Sequence, residues 1–353
     1  MIPFRANIRP GAVFRPSPGR LADGRERVRL CCADMRARAV LVFLMIAAAA
    51  PARASDWEWR AAVGAQIDPS SHGVFDFGVR KGPWLIQLLT DTLEARYAPE
   101  GDGGRWWIAA RGEVFAAGLL TSPWTRGAPD PSRALTASYG GVEGGFARYL
   151  GPVYLGAQLS ERVYAFGALG QTAIPVPGVT SLFTAELFAG YYQPSLHVWV
   201  RAGIDLQDKA LQAHVSGEGV FRPRGLVAPR FELRAGWGGN QTDLTKTRAG
   251  GLNPYVVPLA GAGWAEWWVD NYAAMRAGLT VQTKHVEAGV LADAVAFEGR
   301  IETGLAALLR GTYRRWFAEA TLGWAPGIPR QEGVSRLALW VLVGTDWGRF
   351  GAW

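Results

Sequence analysis

The segment His214-Val-Ser216, followed by Glu218, contains the side-chain types of a general base, a nucleophile and an orienting carboxylate. Alternate residues of an extended strand share a face, so all three would point to the same side. A serine nucleophile needs its base within hydrogen-bonding distance and a third group that orients the base. Because two residues at this spacing often occur by chance, hydrolysis by His214, Ser216 and Glu218 is kept as an alternative function.

A second candidate site is a set of charged residues that alternate with apolar ones. In the segment 195–205, Val198 and Val200 alternate with positions that include Arg201 and Asp205. Such alternation is typical of a strand with one apolar and one polar face. We predict that the polar faces enclose a lumen lined by charges of both signs, at Arg80, Arg111, Glu113, Glu186, Arg201, Asp205, Glu232, Arg234, Arg276, Glu287, Asp293, Glu302 and Glu319.

The same alternation recurs between Trp57 and Trp347 and predicts roughly 14 to 16 strands. The segments are 57–67, 75–80, 84–93, 105–119, 135–149, 153–166, 180–192, 196–206, 211–221, 231–239, 257–270, 272–282, 286–297, 301–310, 316–324 and 337–347. Long loops rich in Gly, Pro, Asp and Asn are expected at 121–132, 167–178 and 240–254. No helical period persists, so we expect residues 55–353 to form one all-β domain, a transmembrane antiparallel β-barrel.

The composition of the two faces indicates which one meets lipid. A soluble sheet usually presents Lys, Thr and Ser to water, whereas the whole chain contains only four Lys. Trp316 and Trp324 share the apolar face and are eight positions apart. Eight positions rise ~26 Å along a strand, or about 20 Å across a membrane when the strand is tilted, which is close to the ~25 Å apolar band of outer-membrane barrels. An aromatic girdle on the outer surface is therefore expected at Trp57, Trp84, Trp106, Trp237, Trp316 and Trp324.

The N-terminal part of the chain has the pattern of an export signal. Arg36 and Arg38 precede the apolar run 39–50, which leads to the small-residue site Ala52-Arg53-Ala54. The run is too short to span a bilayer as a helix and matches the apolar region of a secretory signal peptide. We expect a signal peptide at 35–54 and a disordered or mis-annotated extension at 1–34.

Removal of this leader changes the charge and the cysteine content. Residues 1–54 hold ten Arg and three acidic residues, which leaves 27 basic and 27 acidic residues in the remainder. The formal charge of +7 thus belongs to the leader. We therefore expect no basic surface for binding nucleic acid in residues 55–353. Cys31 and Cys32 also precede the cleavage site, and the remaining His residues form no cluster at ligand spacing, so neither a metal site nor a cofactor is expected.

The C-terminal segment carries a resemblance to a known class. In an extended strand, alternate residues lie on the same face as the terminal Trp353. These residues are Leu337, Leu339, Val341, Val343, Thr345 and Trp347. This pattern resembles the aromatic-ended last strand, with its C-terminal signal, of Gram-negative outer-membrane β-barrel proteins. The resemblance implies a barrel in the outer membrane, contact with the lipid bilayer and lipopolysaccharide, insertion by the outer-membrane assembly machinery and closure of the first strand on the last.

Two local resemblances extend the range of functions. The segment Arg248-Ala-Gly-Gly-Leu-Asn-Pro-Tyr-Val-Val-Pro-Leu259 looks like a loop of the larger protein-inserting barrels, and the His214/Ser216 spacing looks like that of outer-membrane lipid hydrolases and deacylases. The preferred function is a weakly selective, porin-like channel for small solutes, because charges of both signs should discriminate weakly between ions. The alternatives are a lipid hydrolase, a structural or surface-anchoring barrel, and a reduced protein-inserting barrel.

The leader pattern generates a direct prediction about the exported chain. Protein extracted from membranes should begin at Ser55, because cleavage is expected after the small-x-small site that ends at Ala54. N-terminal sequencing of the extracted protein measures this. A chain that begins near Met1 would contradict the prediction.

Overall fold

The computed structural model describes residues 57–67, 72–90, 92–101, 104–113, 124–168, 172–193, 195–220, 226–252 and 256–345. The predicted leader at 1–54 and the terminal Trp353 lie outside the described residues. In the described part, the chain is almost entirely β-strand, with one 3-10 turn at Pro131–Arg133. The same part contains no helix that is long and apolar enough to cross a membrane.

The strands are numbered in chain order. They are β1 (Glu58–Ile67), β2 (His72–Lys81), β3 (Trp84–Leu89), β4 (Thr92–Tyr97), β5 (Glu100–Gly101), β6 (Gly104–Glu113), β7 (Trp124–Thr125), β8 (Ala128–Pro129), β9 (Leu135–Leu150), β10 (Val153–Ala168), β11 (Val179–Gln193), β12 (Leu196–Asp205), β13 (Ala210–Val220), β14 (Val227–Gly239), β15 (Thr247–Ala249), β16 (Trp267–Val269), β17 (Tyr272–Gln282), β18 (Val286–Phe297), β19 (Arg300–Tyr313), β20 (Trp316–Trp324) and β21 (Leu337–Thr345). Five of these, β5, β7, β8, β15 and β16, are only two or three residues long.

The other sixteen strands form a closed antiparallel barrel. Each strand pairs with the barrel strand that precedes it and the one that follows it. The first strand, β1, pairs with β2 on one side and with β21 on the other, where Ala62–Ile67 lies opposite Leu339–Gly344. Closure leaves no open sheet edge, which is the condition for a sheet to lie in lipid. The prediction of an all-β antiparallel barrel is confirmed.

Strand connections differ in length between the two ends of the barrel. At one end, here called the short-turn end, the connections are brief, as at 82–83, 151–152 and 314–315. The opposite end, here called the long-loop end, carries the extended connections 114–134, 169–178, 240–271 and 325–336. This asymmetry is typical of outer-membrane barrels, in which the short turns face the periplasm.

Side chains alternate strictly between the two faces of the barrel. In β19, Ile301, Leu305 and Leu309 are exposed on the outer surface, whereas Glu302 and Ala306 are buried on the inner face. The same division holds across the sheet, since large apolar side chains are exposed outside and most buried carboxylates point inward. The barrel therefore has an apolar exterior, and most of its buried charged side chains face the interior, as is typical of a membrane-spanning barrel.

The predicted strand number is confirmed, but two predicted segments are wrong. The segment 257–270 is not a barrel strand, since only Trp267–Val269 is extended, and it pairs with β15 in a separate two-stranded sheet. The segment 84–93 is not one strand, because the chain turns at Thr90, where φ is 54°, and returns as β4. A short apolar run has the same composition in a strand and in a buried loop, so alternation alone does not separate them.

Candidate functional site

A long connection folds back into the barrel instead of extending away from it. The inner loop comprises residues 240–271 between β14 and β17, of which 240–252 and 256–271 are described. Its residues Ala249, Leu259, Ala260 and Ala262 have no exposed surface. Leu252 and Ala260 of the loop pack with inner-face residues of the barrel strands, and Gln66 and Asp293 of that face bond to the loop backbone. The inner loop is therefore the central feature of the candidate site.

Gln66 of β1 holds the inner loop through both atoms of its amide. Its Nε2 donates to the carbonyl oxygen of Ala262 at 3.1 Å, and its Oε1 accepts from the backbone N–H of Leu252 at 3.0 Å. The side chain of Gln66 is fully buried. Since an unsatisfied buried amide costs roughly 1 to 3 kcal/mol, the two bonds tie both branches of the loop to the first strand.

Asp293 of β18 provides a second anchor for the loop. Its Oδ2 accepts from the backbone N–H of Ala260 at 2.8 Å. Arg276 of β17 donates to the same carboxylate through Nε at 2.7 Å and Nη2 at 2.9 Å. The guanidinium thus neutralises a carboxylate that is 2% exposed, and the carboxylate fixes the position of the loop backbone.

A buried ion pair joins the inner loop to the connection between β20 and β21. Arg330 Nη1 donates to Glu266 Oε1 at 2.5 Å, and its Nη2 donates to the carbonyl oxygen of Gly261 at 3.1 Å. Glu266 also accepts from the backbone N–H of Gly263 at 2.8 Å. Burial raises the pKa of Glu266, while Arg330 and the Gly263 amide act in the opposite direction.

Two glycines of the inner wall allow the loop backbone to approach closely. A Cβ atom on Gly304 of β19 would lie 2.4 Å from the carbonyl oxygen of Ala260. A Cβ atom on Gly323 of β20 would lie 2.7 Å from the backbone nitrogen of Gly261. No larger side chain fits at either place without moving the loop, which explains why glycine occurs in the interior of these strands.

The wall beneath the inner loop is apolar. Leu252 and Ala260 pack in one buried cluster with residues of β1, β2 and β18 to β21, namely Ala62, Val74, Leu291, Ala306, Phe317, Ala338, Trp340 and Leu342. A second cluster joins Val257, Leu259 and Ala262 to Val295 and Phe297. Burial of these side chains by the loop stabilises the folded state by about 25 cal/mol for each Å² of apolar surface that is removed from water.

The opposite part of the wall carries paired charges. Ion pairs place Glu94 2.8 Å from Arg96 and 2.6 Å from Arg111, and Glu143 lies 3.1 Å from Arg111 and 3.5 Å from Arg96. These four side chains come from β4, β6 and β9. Each carboxylate faces two guanidinium groups, so the cluster has no net charge.

The other predicted lumen residues are found in several environments. Ion pairs join Glu186 to Arg201 at 3.8 Å, Glu287 to Arg230 at 2.8 Å, Glu319 to Arg310 at 3.9 Å, and Glu232 to Arg234. Asp205 is fully buried and accepts from the backbone N–H groups of Gln207 and Asp208, and Glu302 is buried. Arg80 is exposed at the end of β2, where its Nε donates to the Gly82 carbonyl, and the side chain of Glu113 lies outside the described residues.

Sequence reasoning missed the most connected members of the site. Glu94 and Arg96 were absent from the prediction because β4 was not recognised as a strand. Glu266 and Arg330 were missed because 257–270 was wrongly predicted as a strand and no prediction was made for 325–336. The only available signal was the segment after Arg248, whose resemblance to a loop of protein-inserting barrels already set it apart from the strands.

His214, Ser216 and Glu218 share one face of β13, which is the inner face, but their contacts are with other residues. His214 Nδ1 lies 3.5 Å from the Tyr272 hydroxyl, and Glu218 lies 3.6 Å from Nδ1 of His197. The contacts therefore join Glu218 to a histidine of the neighbouring strand instead of forming a relay with His214. In the described part of the chain, no group of three or more His, Cys, Asp or Glu side chains could hold a metal ion.

The six tryptophans predicted for the girdle are all exposed on the described surface. Trp57, Trp84, Trp106 and Trp316 lie near the short-turn end, and Trp237 and Trp324 lie near the long-loop end. Trp84 and Trp106 contact Tyr97 from either side, with ring centroids 4.7 and 5.5 Å apart. Aromatic residues thus occur toward both ends of the barrel, where a membrane barrel meets the two interfaces.

Comparisons with known proteins identify the fold but no family. No family model matches the sequence, and the search of curated proteins gives no match. Among solved structures, BamA from Haemophilus ducreyi lacking POTRA domains 1-3 is similar, with 10% identity and a TM-score of 0.58, over 83% of this chain and 70% of that one. CdiB from Acinetobacter baumannii matches with 10% identity and a TM-score of 0.56, over 83% of this chain and 60% of that one. The Acinetobacter baumannii outer membrane protein Omp33 matches with 11% identity and a TM-score of 0.35, over 83% and 100% of the two chains.

These likenesses agree with the resemblance derived from the sequence. The chain has the fold of bacterial outer-membrane β-barrels. At 10% identity the two structures with the higher TM-scores show the fold alone. The chain spans less than two thirds of the CdiB chain.

The buried ion pair of the inner loop generates a prediction about stability. Glu266→Gln should lower the free energy of unfolding by about 3 kcal/mol or more, because it leaves Arg330 charged and buried without its partner. Urea unfolding of the detergent-solubilised barrel measures the loss, and limited proteolysis should show earlier cleavage within 240–271. The matched control is Glu298→Gln, which breaks an exposed ion pair with Arg300 at the same end and should cost less than about 1 kcal/mol. Equal losses in both variants would contradict the role assigned to the Glu266–Arg330 pair.

Proposed function

We propose that this protein is an integral outer-membrane barrel that provides a restricted path for small solutes. The observation that carries the proposal is the division of its interior. The inner loop packs on apolar residues of β1, β2 and β17 to β21, whereas paired charges line the wall from β4 to β14. Further ion pairs lie on β1 and β2, on β17 and β18, and on β19 and β20. Water and small polar solutes would move along this charged wall.

Packing among the long loops supports a restricted rather than an open path. Gln331 donates its backbone N–H to the carbonyl oxygen of Arg126 at 2.9 Å, and Ala173 donates to that of Ser132 at 2.7 Å. Arg330 connects the same region to the inner loop. All four long connections are thus joined to one another at the long-loop end, and solutes would pass between them.

Charge pairing along the path supports weak selectivity. Glu94, Glu143 and Glu186 each lie within 4 Å of an arginine. Strong ion selectivity arises from rings of charge of one sign, whereas compensated pairs present little net field to a passing ion. A pore of this kind would admit small solutes with little preference for anions or cations.

The outer surface supports the proposed location. Exposed apolar side chains cover the middle of the barrel, with tryptophans toward both ends. In the outer membrane these surfaces would contact the lipid bilayer and lipopolysaccharide, and the chain would reach that membrane through the outer-membrane assembly machinery after removal of its leader.

A second candidate is a reduced protein-inserting barrel. It is favoured by one observation, since the segment that resembles a loop of such barrels is the one that folds against the inner wall. The likeness of the fold to BamA and CdiB is compatible with this candidate. The two candidates differ in an observable way, because a protein-inserting barrel does not need a conducting lumen.

Planar-bilayer recording tests the proposed path. The wild-type barrel should give stable conductance steps with a reversal potential near zero in a salt gradient. Gly304→Val should give larger steps, because a side chain there overlaps the Ala260 carbonyl and displaces the loop. Gly311→Val in the same strand is the matched control, since a Cβ atom at Gly311 meets nothing within 4 Å, and its steps should match the wild type.

Electrical silence in the wild type and in Gly304→Val, with correct folding of both, would contradict the solute path. The second candidate would survive that result. A strongly displaced reversal potential would contradict the weak selectivity derived from the charge pairs.

A further inference from the structure

A row of aromatic rings lines part of the inner wall near the short-turn end. The rings of Trp107, Phe188, Tyr154 and His197 follow one another on β6, β11, β10 and β12. Successive ring centroids are 6.1, 6.4 and 6.2 Å apart. These four residues are here called the aromatic strip. The inner loop packs on other strands, so it does not account for the strip.

Three rings of the strip lie across glycines of neighbouring strands. The pairs are Trp107 over Gly145, Phe188 over Gly156 and Tyr154 over Gly190. A Cβ atom on these glycines would lie 2.4, 2.4 and 2.2 Å from the respective ring. One face of each ring therefore rests against the backbone of the wall. Because the rings are only half-buried, the other side remains open to the lumen.

Hydrogen-bonding groups border the strip along its length. Trp107 Nε1 donates to Glu143 Oε1 at 3.0 Å. The Tyr154 hydroxyl lies 3.0 Å from Nε2 of His197, whose Nδ1 lies 3.6 Å from Glu218. Flat apolar faces beside fixed polar groups are the combination by which a protein binds and orients an amphipathic ring.

Two of the three carboxylates beside the strip, Glu143 and Glu186, are paired with guanidinium groups, and the third, Glu218, lies beside His197. Arg96 and Arg111 neutralise Glu143, and Arg201 lies 3.8 Å from Glu186. A site for an organic cation would present carboxylates without such partners beside its aromatic faces. A site for an anion would present free guanidinium groups. The balance of charge therefore favours an uncharged ligand.

We propose that the aromatic strip is a binding surface for neutral saccharides. Pyranose rings have an apolar C–H face that packs on the negative face of an aromatic ring, and their hydroxyl groups can reach the bordering carboxylates and His197. The inference deepens the solute path proposed above by naming a substrate class for it. It rests on that path for its biological meaning, but binding itself does not depend on conduction.

A purely structural role is the competing explanation, and the chain contains a matched case of it. Phe231 of β14 lies across Gly219 in the same way, since a Cβ atom there would be 2.4 Å from its ring. Phe231 points outward, because it lies on the same face of β14 as the exposed Leu233 and on the opposite face from Glu232. A saccharide in the lumen cannot reach it.

Isothermal titration of the full detergent-solubilised barrel with maltohexaose, a neutral linear gluco-oligosaccharide, tests the proposal. Saturable binding is expected, and Phe188→Leu should weaken it roughly threefold to tenfold, since it removes one ring contact. Phe231→Leu should leave the affinity unchanged. Phe188→Tyr keeps the ring and should bind like the wild type, which separates loss of the aromatic face from loss of folding.

The outcomes separate this inference from the proposed path. Saturable binding that is lost in Phe188→Leu alone supports the strip even if the barrel is electrically silent. Absence of saturable binding by the wild type overturns the inference whether or not the barrel conducts. Equal weakening in Phe188→Leu and Phe231→Leu, or tighter binding of choline than of maltohexaose, also overturns it.

Discussion

A barrel of sixteen strands encloses more space than the side chains of its own inner wall can fill. That space must either remain water-filled or be occupied by another part of the chain. In this protein the inner loop occupies part of that space by packing on apolar residues of the wall, and paired charges line the wall of β4, β6 and β9. Most features of the interior follow from this constraint.

The inner loop stays in place because its buried backbone groups have partners on several strands. Gln66, Asp293 and Arg330 accept from or donate to the loop backbone, and Gly304 and Gly323 remove the side chains that would block its approach. An unsatisfied peptide group in this position would cost roughly 1 to 3 kcal/mol, so each anchor stabilises the folded loop against release into water. On the charged wall, buried carboxylate side chains also need partners, and the neighbouring guanidinium groups supply them.

The sequence predicts the outward and inward faces well because they follow a local rule. Alternation with a period of two places Ile301, Leu305 and Leu309 outside and Glu302 inside, whatever their distant neighbours are. The inner loop obeys no such rule. Gln66 meets loop residues that lie 186 and 196 positions away, and Arg330 meets Glu266 across 64 positions. A single sequence does not encode such partners in its spacing, so 257–270 was wrongly predicted as a strand.

The central claim is that the tip of residues 240–271 is enclosed by the barrel, and cysteine accessibility measures this directly. Both cysteines of the chain lie within 1–54, so a cysteine introduced after that segment is unique in a chain that begins at Ser55. Leu259→Cys should resist a membrane-impermeant maleimide in the folded protein and react after denaturation, because Leu259 is fully buried. Asp243→Cys, in the exposed part of the same loop, should react at once. Similar labelling rates at the two positions in the folded barrel would contradict the account.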